Sequence, residues 1–237
     1  GNWRAYSISG TVDRNDVFSG EDTVTKNGAL PRININRGER PIGGGFYLGM
    51  NSEAVHLQRI NEVKGVEVSN QGLNRVDVLP AIRIPFTRWP FFTVNSSASW
   101  RGTYWSESLV DGVQVPEPIG RSYFTFQSRA TGPVFNRIWT RPDDRKLKHV
   151  VEPTVSVQRT TAIDNLSRIV QLDGTDYVVG SDTSLNYGLS NRLYAKKDTS
   201  REVLSVGLTQ SWHTDARASQ YDRQYQSGFT ARAPRRA

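Results

Sequence analysis

At 237 residues, with 30 Lys and Arg against 23 Asp and Glu, the chain carries a formal charge of +7 and is long enough for one large all-β unit or two smaller domains. That charge points to anionic partners such as nucleic acid, phospholipid or acidic glycolipid. The lack of any cysteine excludes a disulfide framework, a thiolate metal site and a cysteine nucleophile. An aromatic content of 10%, with six Trp, argues against disorder, and no window approaches the ~18 consecutive apolar residues of a transmembrane helix. The opening Gly1-Asn2-Trp3-Arg4 has no signal-peptide character, so the chain is expected to be a piece of a longer protein.

Taken in order, the segments alternate between apolar and polar residues. Tyr6, Ile8 and Val12 are interleaved with Ser7, Ser9, Thr11 and Asp13, and Ile33 and Ile35 with Asn34 and Asn36. The pattern returns at Ile82, Ile84 and Phe86, again at Phe92, Val94, Ala98 and Trp100, and at Phe124 and Phe126. It continues at Val155 and Val157, at Leu185, Tyr187 and Leu189, and at Leu204, Val206 and Leu208. A period of two is the mark of a half-buried strand. Turn chemistry is expected at SGED (19–22), RGERPIGGG (37–45), SNQG (69–72), VDG (110–112), RPDDR (141–145), LDGTD (172–176) and KKDTS (196–200). The reading is one continuous antiparallel sheet of roughly ten to fourteen strands, over a single domain 1–237.

A soluble sandwich and a membrane barrel both use this pattern. Three features favour the barrel: strongly polar faces suited to a watery lumen opposite faces of Leu, Val, Ile and aromatics, aromatics near the ends of runs, and a low overall hydropathy, since only one side of each strand is apolar. Those aromatics are Trp3, Phe46–Tyr47, Trp89, Phe91–Phe92, Trp100, Tyr104–Trp105, Trp139, Tyr194 and Trp212.

Candidate chemistry is sparse. His56, His149 and His213 are isolated, without metal-ligand spacing. His149 and Glu152 lie three apart, which on a strand puts them on opposite faces, so they could act as an acid/base pair only if the chain bent at Pro153. Asp173, Asp176 and Asp182 resemble a calcium loop, but their spacing does not fit an EF-hand, and LDGTD reads as a simple turn. Gly43-Gly44-Gly45 lacks the Lys-Ser/Thr and helix of a phosphate loop. Arg88-Trp89 and Trp100-Arg101 combine residue types used both for stacking bases and for membrane anchoring. Neither a catalytic centre nor a cofactor or metal site is expected.

Several segments, in order, resemble the β-barrel of the LPS-assembly (organic-solvent-tolerance) family of outer-membrane proteins. RVDVLPAIRIPF (75–86) matches its Arg-x-Asp strand with two prolines, through Arg75, Asp77, Pro80 and Pro85. SASWRGTYW (97–105) is similar to a later stretch, through Thr103 and Tyr104. LKHVVEP (147–153) resembles a signature carried by His149, Glu152 and Pro153. LNYGLSNRLYAKK (185–197) is similar to the following strand, with Asn191 and Arg192, and VLSVGLTQSW (203–212) to a Leu-rich strand with Gln210. ALPRINI (29–35) is a weaker match.

The resemblance implies an all-β antiparallel meander forming part of a large transmembrane outer-membrane β-barrel, without the family's periplasmic jelly-roll domain. It implies an outer-membrane protein of a Gram-negative bacterium, and no enzyme. The partners implied are lipopolysaccharide, an LptE-like plug lipoprotein, and a periplasmic LptA-like bridge reached through the missing N-terminal domain. No nucleic acid and no cofactor are implied. A generic porin-like barrel and a soluble all-β carbohydrate-binding module are the alternatives.

Overall fold

The computed structural model describes residues 1–20, 22–142, 146–177, 181–196 and 199–214. Those residues are almost wholly antiparallel strand. In chain order these are β1 (Asn2–Trp3), β2 (Tyr6–Ser19), β3 (Thr23–Gly43), β4 (Phe46–Val63), β5 (Val66–Trp89), β6 (Phe92–Trp105), β7 (Ser108–Val110) and β8 (Val113–Val115). They continue with β9 (Ile119–Thr131), β10 (Phe135–Thr140), β11 (Lys146–Thr160), β12 (Thr183–Lys196) and β13 (Ser200–His213). A 3-10 turn, Leu166–Arg168, lies between β11 and β12.

The chain divides into two compact units, and β5, β6 and β9 each give residues to both. The first unit holds Gly1–Ile82, Ser99–Phe124 and the described part of Thr161–Gly180. Its strands follow the order β1-β2-β3-β4-β5-β6-β9, with β7 and β8 a separate hairpin. Alternation puts Arg32 of β3, Glu53, Val55, Leu57 and Arg59 of β4, Leu73, Arg75 and Asp77 of β5, Arg101, Thr103 and Trp105 of β6, and Ile119, Arg121 and Tyr123 of β9 on one face. Ile33, Ile35, Val76, Ile82, Trp100, Tyr104 and Phe124 stand on the other and remain exposed.

The polar face of this unit is not an open watery surface, as the sequence led us to expect. Residues 161–177 lie across it. Ile169 and Val170 are 2% and 3% exposed and pack with Ala29, Val55, Leu57, Leu73, Trp105 and Ile119. Trp105, assigned from sequence to an aromatic girdle, is fully buried in this cluster, while its neighbour Tyr104 is 48% exposed on the opposite face. Adjacent residues of a strand point to opposite sides, so the two aromatics of a pair cannot share one role.

The second unit holds Arg83–Ala98, Thr125–Thr160 and the described residues from Ser181. Its strands follow the order β5-β6-β9-β11-β12-β13, with β10 also paired to β11. Thr154 faces Thr131 of β9 on one side and Gly188 of β12 on the other. Val155, Val157, Tyr187, Leu189, Leu204, Val206 and Leu208 make an exposed apolar face across β11, β12 and β13.

Expected turns form at Gly44–Gly45, joining β3 to β4, and at Asp111–Gly112, joining β7 to β8, but others do not. SNQG (69–72) lies inside β5, and RGERPIG (37–43) continues β3. The β4–β5 connection is instead Lys64-Gly65, both at positive φ (52° and 76°), the geometry of a tight hairpin turn. The 141–145 and 196–200 turns fall partly on residues outside the described set.

Candidate functional site

The most elaborate side-chain constellation lies where residues 161–177 meet the polar face of the first unit. The tetrapeptide Asp173-Gly174-Thr175-Asp176 closes on itself. Asp176 Oδ2 accepts from the backbone N–H groups of Leu172 (2.9 Å) and Asp173 (3.0 Å), and Asp173 Oδ1 accepts from that of Thr175 (2.8 Å). Asp is suited to this because its short carboxylate reaches backbone donors two to four residues away.

Guanidinium groups from four strands meet this turn, two at the free edges of its carboxylates and two at backbone carbonyls. Arg75, whose side chain is fully buried, donates to Asp173 Oδ1 (2.6 Å) and Oδ2 (2.7 Å), Asp176 Oδ1 (2.8 Å) and Glu53 Oε1 (2.5 Å). Arg32 pairs with Glu53 and reaches Asp173 at 3.4 Å. Arg121 donates to the Asp176 and Thr175 carbonyls, both at 3.1 Å, and its guanidinium lies 4.8 Å over the Trp105 ring. Arg59 donates to the Leu172 carbonyl at 2.9 Å, and the Trp105 indole N–H donates to Asp176 Oδ1 at 3.0 Å.

Such charge-assisted bonds are the strong ones, and burial shields them from salt. Burial by itself would push the Asp173 carboxyl up, but the hydrogen bond and charge of Arg75, with Thr175 N–H and Arg32, hold it below the usual carboxylate range. LDGTD is therefore more than a turn. It anchors a long connection to the sheet by engaging arginines of β3, β4, β5 and β9.

The residues singled out by motif fall into small pairs. Asp77 accepts from Thr103 Oγ1 (2.6 Å) and from Arg101 Nε (2.9 Å), joining the first two motif segments across β5 and β6. Glu152 and Arg192 form an ion pair at 3.3 Å across β11 and β12, and Gln210 accepts from the Tyr187 hydroxyl at 2.6 Å. The Pro153 carbonyl accepts from Gly132 N at 2.9 Å. Pro80 and Pro85 lie within β5, and Asn191 faces Val151 and Val206 across the sheet.

His149 and Glu152 are on opposite faces, as their spacing requires. The His149 ring stacks on Trp139, with centroids 6.4 Å apart and planes 19° apart. His213, isolated in sequence, meets Asp182 at 2.9 Å. Sequence reading overlooked Arg32, Glu53, Arg59, Arg121, Ile169 and Val170. The available signal was arginine recurring on the polar face of neighbouring strands, opposite an Asp-Gly-Thr-Asp turn.

Two alternating faces, one apolar and exposed, the other polar and in the first unit covered by an anchored connection, define an all-β sheet protein whose polar face carries its specific interactions. No family model and no curated protein matches the chain. Among solved structures, it is similar to the β domain of the Bordetella autotransporter BrkA, at 12% identity and a TM-score of 0.26, over 89% of this chain and 82% of that one. A likeness that slight bears on neither mechanism nor partners.

Proposed function

We propose that the chain is a membrane-spanning part of an outer-membrane β-barrel and, within that class, of a translocon that inserts lipopolysaccharide into the outer leaflet. The observation that carries the first step is the exposed apolar face. Ile33, Ile82, Ile84, Phe86, Phe124 and Phe126 in β3, β5 and β9 are all at least 37% exposed, and Val155, Val157, Leu204, Val206 and Leu208 of β11 and β13 at least 41%. A soluble sandwich would bury that face, whereas lipid covers it in a barrel.

The finer step rests on the ordered motif residues, whose side chains meet as Asp77–Thr103 and Glu152–Arg192, together with the net charge of +7, suited to a phosphorylated amphiphile. The test is reconstitution. The chain should need detergent or vesicles to hold its strand content. Within the full-length protein, photo-crosslinkers on the polar face at Asn186 should capture lipopolysaccharide. A chain that stays monomeric and folded in plain buffer would refute the barrel. Insertion without capture would favour a porin-like barrel over the translocon.

A further inference from the structure

Resting on the barrel reading, we infer that the β10–β13 end of the second unit carries a binding site for the headgroup of an anionic phospholipid, built from Arg137, Trp139, His149 and Arg201. The pairing register places them in two successive rows of one face, with Arg137, Trp139 and His149 together on β10 and β11 and Arg201 in the same rows on β13. Arg137 faces His149, which faces Leu193, which faces Leu204. In the next row toward the chain turns, Trp139 faces Leu147, which faces Ala195, which faces Arg201. Both rows lie on the apolar face, the one that includes Val155, Val157, Leu204 and Val206.

Within those rows the side chains of Arg137, Trp139 and His149 meet. The Arg137 guanidinium lies 5.4 Å over the Trp139 ring, and Trp139 stacks on His149. Neither row contains a carboxylate, and the Glu152–Arg192 pair occupies the opposite face. Among the described residues Arg137 and Arg201 make no ion pair. Farther along the strands the same face turns mainly apolar, with Phe135 60%, Val206 44% and Leu208 66% exposed and Asn191 and Gln210 as its polar residues. The polarity thus follows a lipid molecule: cations and an indole at the boundary, aliphatic side chains along the acyl chains. A guanidinium fork binds phosphate in two places at once, and Trp prefers the level of the headgroups.

Connection lengths give the leaflet. At this end β10 and β11 are joined by residues 141–145 and β12 and β13 by 197–199, whereas residues 161–182 join β11 and β12 at the far end. Outer-membrane barrels keep their short turns on the periplasmic side. The occupant is therefore a phospholipid of the periplasmic leaflet.

The full chain, refolded in detergent, would be titrated with phosphatidylglycerol or phosphatidylcholine and the retained lipid counted by native mass spectrometry. Phosphatidylglycerol should be retained preferentially. Arg137→Gln with Arg201→Gln should weaken that retention about 25-fold, from roughly fivefold per cation. Arg14→Gln with Lys64→Gln, outside the site, should leave it unchanged. If the double variant does not refold, Arg137→Gln alone should still give about fivefold. A protein that inserts into vesicles but shows no lipid preference, or a site variant no weaker than the control, overturns the site and leaves the barrel reading intact. Failure of the wild-type chain to insert overturns both.

Discussion

Arg75→Ala tests whether the guanidinium clamp holds residues 161–177 in place. The side chain is fully buried and supplies donors to three carboxylates, those of Glu53, Asp173 and Asp176. Removing it leaves Arg32 beside Glu53 and Asp173, and Asp176 with the Trp105 indole and two backbone N–H groups. Breaking a buried ion pair from one side costs about 3–5 kcal/mol, because the remaining charges stay buried without compensation. The opposing gain is burial of Ile169 and Val170, about 1.5–3 kcal/mol each as an upper bound. The two quantities are comparable, so the connection should detach while the strands persist. Trypsin cleavage after Arg168, followed by mass spectrometry on the refolded protein, should then accelerate by about 100-fold or more, since 3 kcal/mol changes an opening equilibrium by that order. Circular dichroism should report unchanged strand content. An unaltered cleavage rate with intact strands would refute the clamp.

Other outcomes follow from single residues. Asp173 is held below the ordinary carboxylate value, so its contribution is complete above its unfolded value of about 3.9 and disappears as pH falls through the depressed folded value. Protection of residues 161–177 should thus be flat from about pH 8 to 5 and weaken only below about pH 4, read by Trp105 emission or hydrogen exchange. Val206, 44% exposed on the apolar face, should tolerate Arg poorly in lipid, at about 2–4 kcal/mol near the midplane, whereas Thr209→Arg on the polar face should be mild. Equal refolding yields of those two variants would defeat the barrel reading. Gly132 has φ of +101°, and a Cβ there would lie 2.3 Å from the Phe91 carbonyl oxygen. Gly132→Ala should lower the unfolding midpoint by the equivalent of at least about 1–3 kcal/mol, and an unchanged midpoint would refute the contact.

What could be read from sequence was the period. Val155 and Val157 against Thr154 and Ser156, or Leu204 and Val206 against Ser205, fix faces without knowledge of neighbours. What could not be read was register. Arg75 and Asp173 are 98 positions apart, and nothing local to LDGTD says that a strand arginine waits for it. Turn chemistry also misled where it met strand context. Ser69, Asn70, Gln71 and Gly72 favour turns, yet the two positive-φ residues that reverse the chain are Lys64 and Gly65. His149 is a related case. Its spacing from Glu152 argued against a catalytic pair, but its stacking on Trp139 depends on the β10–β11 pairing.

The chemistry of the clamp bears on what the covered face must tolerate. Replacing a buried ion network by apolar residues of similar size is often neutral or stabilising, so stability alone does not account for an arginine buried among three carboxylates. An apolar anchor would, however, leave a greasy strand face whenever the connection lifted away, whereas arginines and Glu53 hydrate readily. The triple change Arg75→Met, Asp173→Asn and Asp176→Asn separates the two demands. The docked connection should stay about as protected from trypsin as in the wild type. Guanidinium chloride at concentrations that release the connection without melting the strands should then make the variant, and not the wild type, aggregate or bind a hydrophobic dye. Loss of protection in the triple variant would mean that the charges are needed for docking itself. Equal dye binding by both proteins would remove the hydration argument and leave the network as an anchor alone.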